Sequence, residues 1–472
     1  MTRAYEVTAG RSWHLPDHGV ALVAGAAVAG VSVGVLAAVA VAALALLIER
    51  PRQAARWCAA ACGVVGVVGA TAGGRAWHDA VPRHLGPFSG WAQVATDPAV
   101  YGSGVRLTLE IDGQRFDSWS YGSRADTMAH RQAGEWVWVQ GERTALAGDA
   151  RRAQLRHVVG RFQLDVAADT LPGSPLTVAG NRVRSALRRS AEVTMGPDLA
   201  ALFTGLVIGD DSRQSPEMIQ EFRASGLSHL TAVSGQNVAF LLAAALPVLR
   251  RLRPASRWLV TVGLIAWFMA VTRFEPSVLR AGLMAILAAT AFVLGRQPRP
   301  VRLLAWSVTA LVLIDPLLVW SVGFWLSVGA TAGVCVIGPW LASHLPGAPW
   351  WRTSLGITLG AQCGVALPSL LVFHRLPVVS VVANLVAVPV AGGVMLYGLP
   401  VGLVAGWLPG PLAQVMMAPA VIGTRWVATV ARVAAHLEPS GWRSWCAWMV
   451  VVVVLGLVVL HRSRAQARRV PV

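Results

Sequence analysis

The sequence predicts a polytopic α-helical membrane protein that carries one small β domain. Three observations lead there. Of 472 residues, 55% are hydrophobic and only 13% are charged, where a soluble domain carries about 25%. Apolar runs near the ~20 residues that cross a bilayer recur along most of the chain. One interval, 75–180, interrupts them with strand-like alternation and turn residues. Such a composition, with a mean hydropathy of +0.56, excludes both disorder and a soluble enzyme built on a single large core.

About eleven apolar segments stand out, near 19–48, 57–73, 227–249, 258–272, 277–295, 303–314, 321–343, 353–373, 378–406, 411–433 and 445–461. The first is long enough for one tilted span and short for two. Segment 303–314 is too short to cross alone, and Pro389 interrupts 378–406, so both are candidates for re-entrant elements. The first segment is not a signal peptide, because it exceeds the usual apolar region and lacks a cleavage site. Residues 91–95, 105–111, 135–140 and 160–166 alternate as strands, with Asp112-Gly113 and Gly102-Ser103-Gly104 as turns. About five strands in this space suit an OB-type barrel.

The 40 Lys+Arg are all Arg, set against 23 Asp+Glu for a net charge of +17. Between 75 and 180 the charges balance, 11 Arg to 11 acids, so the excess lies in the membrane part, 29 Arg to 12 acids. Arg concentrates in cytoplasmic loops of any membrane protein. Arg50, Arg52 and Arg56, then Arg250, Arg251, Arg253 and Arg257, then Arg296, Arg299 and Arg302 mark such loops, and Arg462, Arg464, Arg468 and Arg469 place the C-terminus inside. Alternation then puts the β domain outside. Arg3 and Arg11 favour an inside N-terminus, whereas a single first span favours outside. The cysteines Cys58, Cys62, Cys335, Cys363 and Cys446 form no disulfide framework and no zinc spacing.

Residues 181–190 read as an interfacial amphipathic helix, with Val183, Leu187 and Ala191 as its apolar stripe and Arg182, Arg188 and Arg189 elsewhere on the turn. Ser215, Pro216 and Glu217 begin a short helix over 216–224, and Gly226 ends it. Ser228, His229, Thr231, Ser234, Gly235, Gln236 and Asn237 follow at the mouth of an apolar run. Their polar groups circle the whole helical wheel, so this stretch must face protein or water.

That stretch, Gly226-Leu-Ser-His-Leu-Thr-Ala-Val-Ser-Gly-Gln-Asn-Val238, resembles the signature of the ComEC/Rec2 competence family of DNA-internalisation channel proteins. Leu206-Val-Ile-Gly209-Asp210 precedes it as in the family. Pro276-Ser-Val-Leu-Arg280-Ala, Asp315-Pro316, Gly323-Phe324-Trp-Leu-Ser327 and Asn384-Leu-Val-Ala-Val-Pro389 follow in order. The resemblance covers nearly the whole chain. It implies N-terminal transmembrane segments over 1–74, an extracytoplasmic OB-like domain over 75–175 and interfacial helices over 176–225. A competence-type channel domain over 226–461 and a cytoplasmic Arg-rich tail over 462–472 complete it. Two departures matter. Many members have Gly-Leu-His where this chain has Gly235-Gln236-Asn237, so a role for that histidine does not transfer to Asn237. Many also continue into a metallo-β-lactamase-like domain. Here the sequence stops after 445–461 and the tail, no two His stand as an HxH pair, and the expectation is that no zinc nuclease lies in this polypeptide.

Other chemistry is weaker. Ser234 and His229 lack an orienting acid, so a hydrolase is disfavoured against hydroxyls that satisfy backbone. Asp315 is either an intramembrane charge paired with Arg280 or, the favoured reading, a cap before an apolar helix. Asp210 and Asp211 suit either a cation or a cap. Trp119, Tyr121, Trp136 and Trp138 could stack unpaired bases, with Arg106 and Arg115 on phosphate, although Trp136 and Trp138 share a strand face that suits the barrel core equally.

The expected function is a multi-pass channel of the bacterial plasma membrane for uptake of single-stranded DNA in natural transformation. It is not an enzyme and has no cofactor. Without Lys there is no GxxxxGK[ST] motif, so energy comes from a partner or the membrane gradient. Expected partners are single-stranded DNA, membrane lipids, a separate DNA receptor, a cytoplasmic ATPase or single-strand-binding protein, and a separately encoded nuclease. The alternatives are a transporter of a small or lipid-linked anionic solute, with the β domain as a lid, and a degenerate membrane scaffold.

Overall fold

The computed structural model describes residues 17–48, 52–148, 150–231, 235–297 and 299–467. Ser234, Arg3, Arg11, Arg50, Arg468 and Arg469 lie outside the described residues. Helices α1 (Asp17–Val33), α2 (Val35–Ile48) and α3 (Arg52–Asp79) lead into β1 (Gly86–Val94), β2 (Ala99–Tyr101), β3 (Gly104–Ile111) and β4 (Gln114–Tyr121). Next come α4 (Ser123–Ala129), β5 (Trp136–Ala145), α5 (Ala150–Gln154) and β6 (Val158–Leu171). The chain continues through α6 (Pro175–Thr194), α7 (Pro197–Ile208), α8 (Pro216–Ala224), α9 (Ser228–Thr231), α10 (Gly235–Leu249), α11 (Pro254–Val271), α12 (Pro276–Val293) and α13 (Pro300–Ile314). It ends with α14 (Val322–Ala332), a π-helical turn over Gly333–Ile337, α15 (Gly338–His344), α16 (Pro349–Phe373), α17 (Ser380–Ala405), α18 (Gly410–Leu437) and α19 (Trp442–Ala467).

Among the described residues, 7 helices are long and apolar enough to cross a membrane: Ala55–Asp79, Pro254–Val271, Pro276–Val293, Val322–His344, Pro349–Phe373, Ser380–Ala405 and Trp442–Arg462. That is fewer than the eleven segments read from hydropathy, because several apolar runs are helices of 10–17 residues. The expected interruption at Pro389 does not occur. Helix α17 runs through both Pro389 and Pro400, as spanning helices can when neighbouring groups satisfy the freed carbonyls.

The chain divides into two compact units, Met1–His78 with Pro298–Trp320, and Asp79–Gln297 with Ser321–Val472. In the first, the segment read as one tilted span is two helices. Gly34 adopts φ +108, a backbone state that a side chain would oppose, and separates α1 from α2. Val23, Ala26, Ala45, Cys58 and Cys62 form their common core. Asp315 is the C-cap of α13, and its Oδ1 accepts from the Leu317 amide at 3.1 Å at the start of a 3-10 turn over Pro316–Trp320, whereas the cap before the next apolar helix is Ser321.

In the second unit, six strands form a mixed sheet in the order β1-β5-β6-β4-β3-β2, and β1 also pairs with β3. All pairs are antiparallel except β4–β6. Alternation decides the faces. Val105, Leu107, Leu109, Phe116, Val137, Val139 and Phe162 fill the core, while Arg106, Trp119, Tyr121 and Trp136 point out. Core positions on β5 thus go to Val137 and Val139, and Trp136 and Trp138 take the opposite face.

Helix α6 is more buried than an interfacial helix. Leu187 and Ala191 are fully buried in one core with Leu202, Phe203 and Leu206 of α7 and Ala387, Ala391 and Val394 of α17. Its stripe therefore packs on protein. Helix α8 matches the expected range, with the Ser215 hydroxyl accepting from the Met218 amide at 3.2 Å. Elsewhere, Gly356, Gly360 and Gly364 of α16 lie against Gly338, Gly333 and Gly329 of the opposing span, where small residues let two backbones meet.

Candidate functional site

Three groups of side chains carry the chemistry. The first is a buried charge node that joins the β1–β2 loop to the helices. Helix α7 is buried along residues 200–208, and Gly209, at φ 68, turns its end so that Asp210 points inward. Asp210 Oδ2 meets Arg184 Nη2 at 3.1 Å and Arg188 Nη2 at 2.9 Å. Its Oδ1 accepts from Ser212 Oγ at 2.6 Å. Arg184 Nη2 also meets Asp97 Oδ2 at 2.9 Å. Arg273 grips Asp97 with two donors, Nε at 3.1 Å and Nη2 at 2.8 Å. Arg273 also donates to Asn181 Oδ1 at 2.7 Å, and Asn181 Nδ2 donates to the Ala133 carbonyl at 3.3 Å. Only 5% of the Arg184 side chain is exposed, so its charge depends on these two carboxylates.

Burial alone would push both carboxyls up. For Asp97 the nearby Arg184 and Arg273 outweigh it, and for Asp210 Arg184 and Arg188 do, so both sit below the usual carboxylate range. Asp211 and Glu275 lie beside this node and behave oppositely. Burial first, then the charge of Asp210, raises Asp211; burial first, then Asp211, raises Glu275. A depressed carboxyl stabilises the fold above about pH 4 and loses that contribution as pH falls through its lowered pKa. A raised one has its full contribution below about pH 4 and loses it as pH rises. Asp211→Asn is therefore expected to raise the unfolding temperature at pH 7 and to leave it unchanged at pH 3. Thermal melts of the detergent-solubilised chain at both values measure this, and equal shifts at both would contradict the coupling.

The second group gathers motif positions from distant segments. The absent Cβ of Gly235 would lie 3.0 Å from Ala281 Cβ and 3.5 Å from Arg280 Nη2. Arg280 Nε donates to Ser327 Oγ at 2.9 Å. Phe324, one turn before Ser327, is buried. Asn237 is buried and its Nδ2 donates to the Leu206 carbonyl at 3.4 Å, which ties the Gly-Asp segment to the signature. Thr231 is buried with its hydroxyl on the Ser228 carbonyl. Gln236 is half-buried and His229 is exposed. In α17, Asn384 keeps a buried Oδ1 without a hydrogen-bond partner, while Pro389 is exposed. Asp315 and Pro316 belong to the other unit.

The third group is an exposed aromatic row on the β domain. Trp119 stacks with Tyr121, centroids 6.4 Å apart, and meets Tyr101 at 5.6 Å. The Arg106 guanidinium lies 5.8 Å from the Trp119 ring and pairs with Asp117 at 2.9 Å. Register places Arg161 beside Asp117 and Gln163 beside Trp119. Trp136 and Trp138 are elsewhere, on β5, where Trp138 opposes Trp91. Arg115 pairs with Glu110 at 3.5 Å, and Arg182 and Arg189 are exposed on α6. Arg188 is engaged by Asp210, so it is a node residue before it is a DNA contact. Sequence reasoning missed Asp97, Arg184, Arg273 and Tyr101. The available signal was the Arg182-Val-Arg184 spacing, which sends the two arginines to different sides of one helix.

Long apolar helices, a mixed sheet and a buried charge node between them define a multi-pass membrane protein with an appended β domain. The Competence protein family model matches residues 206–465, so the chain belongs to that family. It is similar to ComE operon protein 3 of Bacillus subtilis (strain 168), 29% identical over 201 residues, 41% of this chain and 25% of that protein. Competence protein ComA of Neisseria gonorrhoeae is 28% identical over 237 residues, 46% of this chain and 32% of its own. Uncharacterized protein YcaI of Escherichia coli (strain K12) is 27% identical over 224 residues, 44% and 29%. The matches thus span a quarter to a third of these relatives' lengths. No solved structure matches. Membership of this family associates the chain with competence.

Proposed function

We propose that the chain is a membrane channel that passes single-stranded DNA inward during natural transformation, with the β domain outside and the C-terminus inside. The observation that carries this reading is the row Tyr101–Trp119–Tyr121 beside Arg106. Three exposed rings on a sheet face, edged by guanidinium groups, match what unpaired bases require, because any base has a π-face and phosphate contact is independent of sequence. The strand pairings support an OB-type barrel: β1 pairs with both β3 and β5, and the β4–β6 pair is parallel. In this reading the strand passes from the β face toward the segment around Gly235, Gln236 and Arg280. Neutral hydrogen-bonding groups and one cation there allow weak, transient contacts. Asn237 fixes α10 to α7, and its role is positional. A separate receptor, a cytoplasmic motor or single-strand-binding protein, and a separately encoded nuclease would complete the process.

The test is a fluorescence-anisotropy titration of a labelled oligothymidylate with the purified chain. Trp119→Ala is expected to weaken binding by about 1–3 kcal/mol, the contribution of one stacked base. Arg106→Gln should lower the salt dependence of binding by about one phosphate contact. Unchanged affinity in Trp119→Ala removes the β face from the pathway. Undiminished tracer-strand uptake after deletion of the chain from a naturally competent host removes the channel reading itself.

A further inference from the structure

The β domain holds another polar hollow, built by residues outside all three groups. A cavity of about 200 Å³ is lined by Arg83, His84, Asp112, Gln114 and Arg143, among others. That is smaller than pockets for drug-sized ligands, roughly 300–1,000 Å³, and suits a single small polar group. Its charge is cationic: two arginines face one aspartate. Arg143 is held in place, with its guanidinium 5.2 Å from the Phe88 ring and Nη1 donating to Asp112 Oδ2 at 3.0 Å. Its Nε is nevertheless buried without a hydrogen-bond partner. A buried donor left unpaired is unfavourable, and it marks Arg143 as a cation with unused hydrogen-bonding capacity beside the cavity.

The mouth is positioned as well. Gln114 Oε1 accepts from the Arg83 amide at 2.8 Å, and its Nε2 donates to the Val81 carbonyl at 3.0 Å. This fixes the linker that carries Arg83 and His84. The Arg83 side chain meets Asp79 only at 3.6 Å, with both more than half exposed, a pairing easily exchanged for a bidentate phosphate. Asp79 is also the last residue of an apolar helix long enough to span a membrane. Arg83 lies four residues beyond it, so the chain can carry it at most about 14 Å from that helix end. The headgroup layer on each side of the hydrocarbon core is roughly 5–8 Å thick, within that reach.

We propose that this cavity is a phosphate site that takes the headgroup of an anionic phospholipid and moors the β domain to the membrane surface. The test uses the full chain in nanodiscs of mixed phosphatidylglycerol and phosphatidylcholine, with retained lipid counted by native mass spectrometry. The Arg83→Ser/His84→Ser variant alters exposed side chains and should melt like the parent. It is expected to retain phosphatidylglycerol about fivefold less well or worse, the effect of one cation at a lipid surface. If millimolar inorganic phosphate strips that lipid from the parent and not from the variant, the site is an oxyanion site that also accepts the free ion. If a short single-stranded oligonucleotide displaces it instead, the lipid assignment is overturned in favour of nucleic acid. Equal phosphatidylglycerol retention by parent and variant overturns the proposal outright.

Discussion

Replacing Arg184 with Met is expected to lower the stability of the chain by about 3 kcal/mol. Removing one member of a buried ion pair costs roughly 3–5 kcal/mol, because the remaining charge is left without compensation. The lower end applies here. Asp97 keeps its two bonds from Arg273, and Asp210 keeps Arg188 and Ser212. Met preserves most of the packing volume, so the loss reports on charge. Arg182→Met and Arg189→Met on the same helix are the controls. Both side chains are exposed, and surface changes of this kind stay within about 0.5 kcal/mol. Thermal unfolding in detergent decides the matter: if Arg184→Met melts no earlier than Arg182→Met, the node carries no stability. A double-mutant cycle with Asp210→Asn should show positive coupling, since the two groups are in contact.

The second large effect is expected at Gly360. A Cβ there would lie 2.7 Å from the Gly333 carbonyl oxygen and 2.7 Å from the Gly338 nitrogen. Both are backbone atoms in a facing helix and cannot rotate aside. Overpacking a core costs about 1–3 kcal/mol when side chains can adjust, and here none is available to move. Gly360→Leu should therefore separate α16 from the opposing span, seen as aggregation in size-exclusion chromatography after detergent extraction. Gly393→Leu in α17 is the matched control, because nothing lies within 4 Å of its absent Cβ. A Gly360→Leu chain that elutes and melts like Gly393→Leu would rule out the close contact.

Much of this architecture is legible in local sequence. Strand alternation marks β3 near its observed bounds and locates β5 and β6, which run on to Ala145 and Leu171 beyond the expected ends, and Ser215-Pro216 with Gly226 brackets α8, because caps and periodicity are properties of neighbours along the chain. Two features are not legible. The reversal at Gly34 is hidden because it is one glycine among many in an apolar run with no polar punctuation. The node is hidden because Asp97, Arg184 and Arg273 are each more than eighty residues apart. Amphipathic patterning treats an arginine as outward, so a buried one is visible only through its partners. The motif positions fall between these cases. The resemblance marks Gly235, Arg280 and Ser327 as a set, and only the fold shows them in contact.

The π-helical turn at Gly333–Ile337 settles how that glycine contact survives an irregular spacing. On α16 the contacting glycines recur every four residues, 356, 360 and 364, whereas the facing span has 329, 333 and 338. In a regular α-helix, a step of five residues turns roughly 140° past one full revolution, which would carry Gly338 off the shared face. A widened turn absorbs the extra residue. Deleting Val336 would therefore shorten the span yet leave all three glycines in phase, whereas deleting Ala330 would put Gly329 out of step. Length variation in this helix should be confined to the widened turn, and natural insertions and deletions among its relatives offer a readout of the constraint.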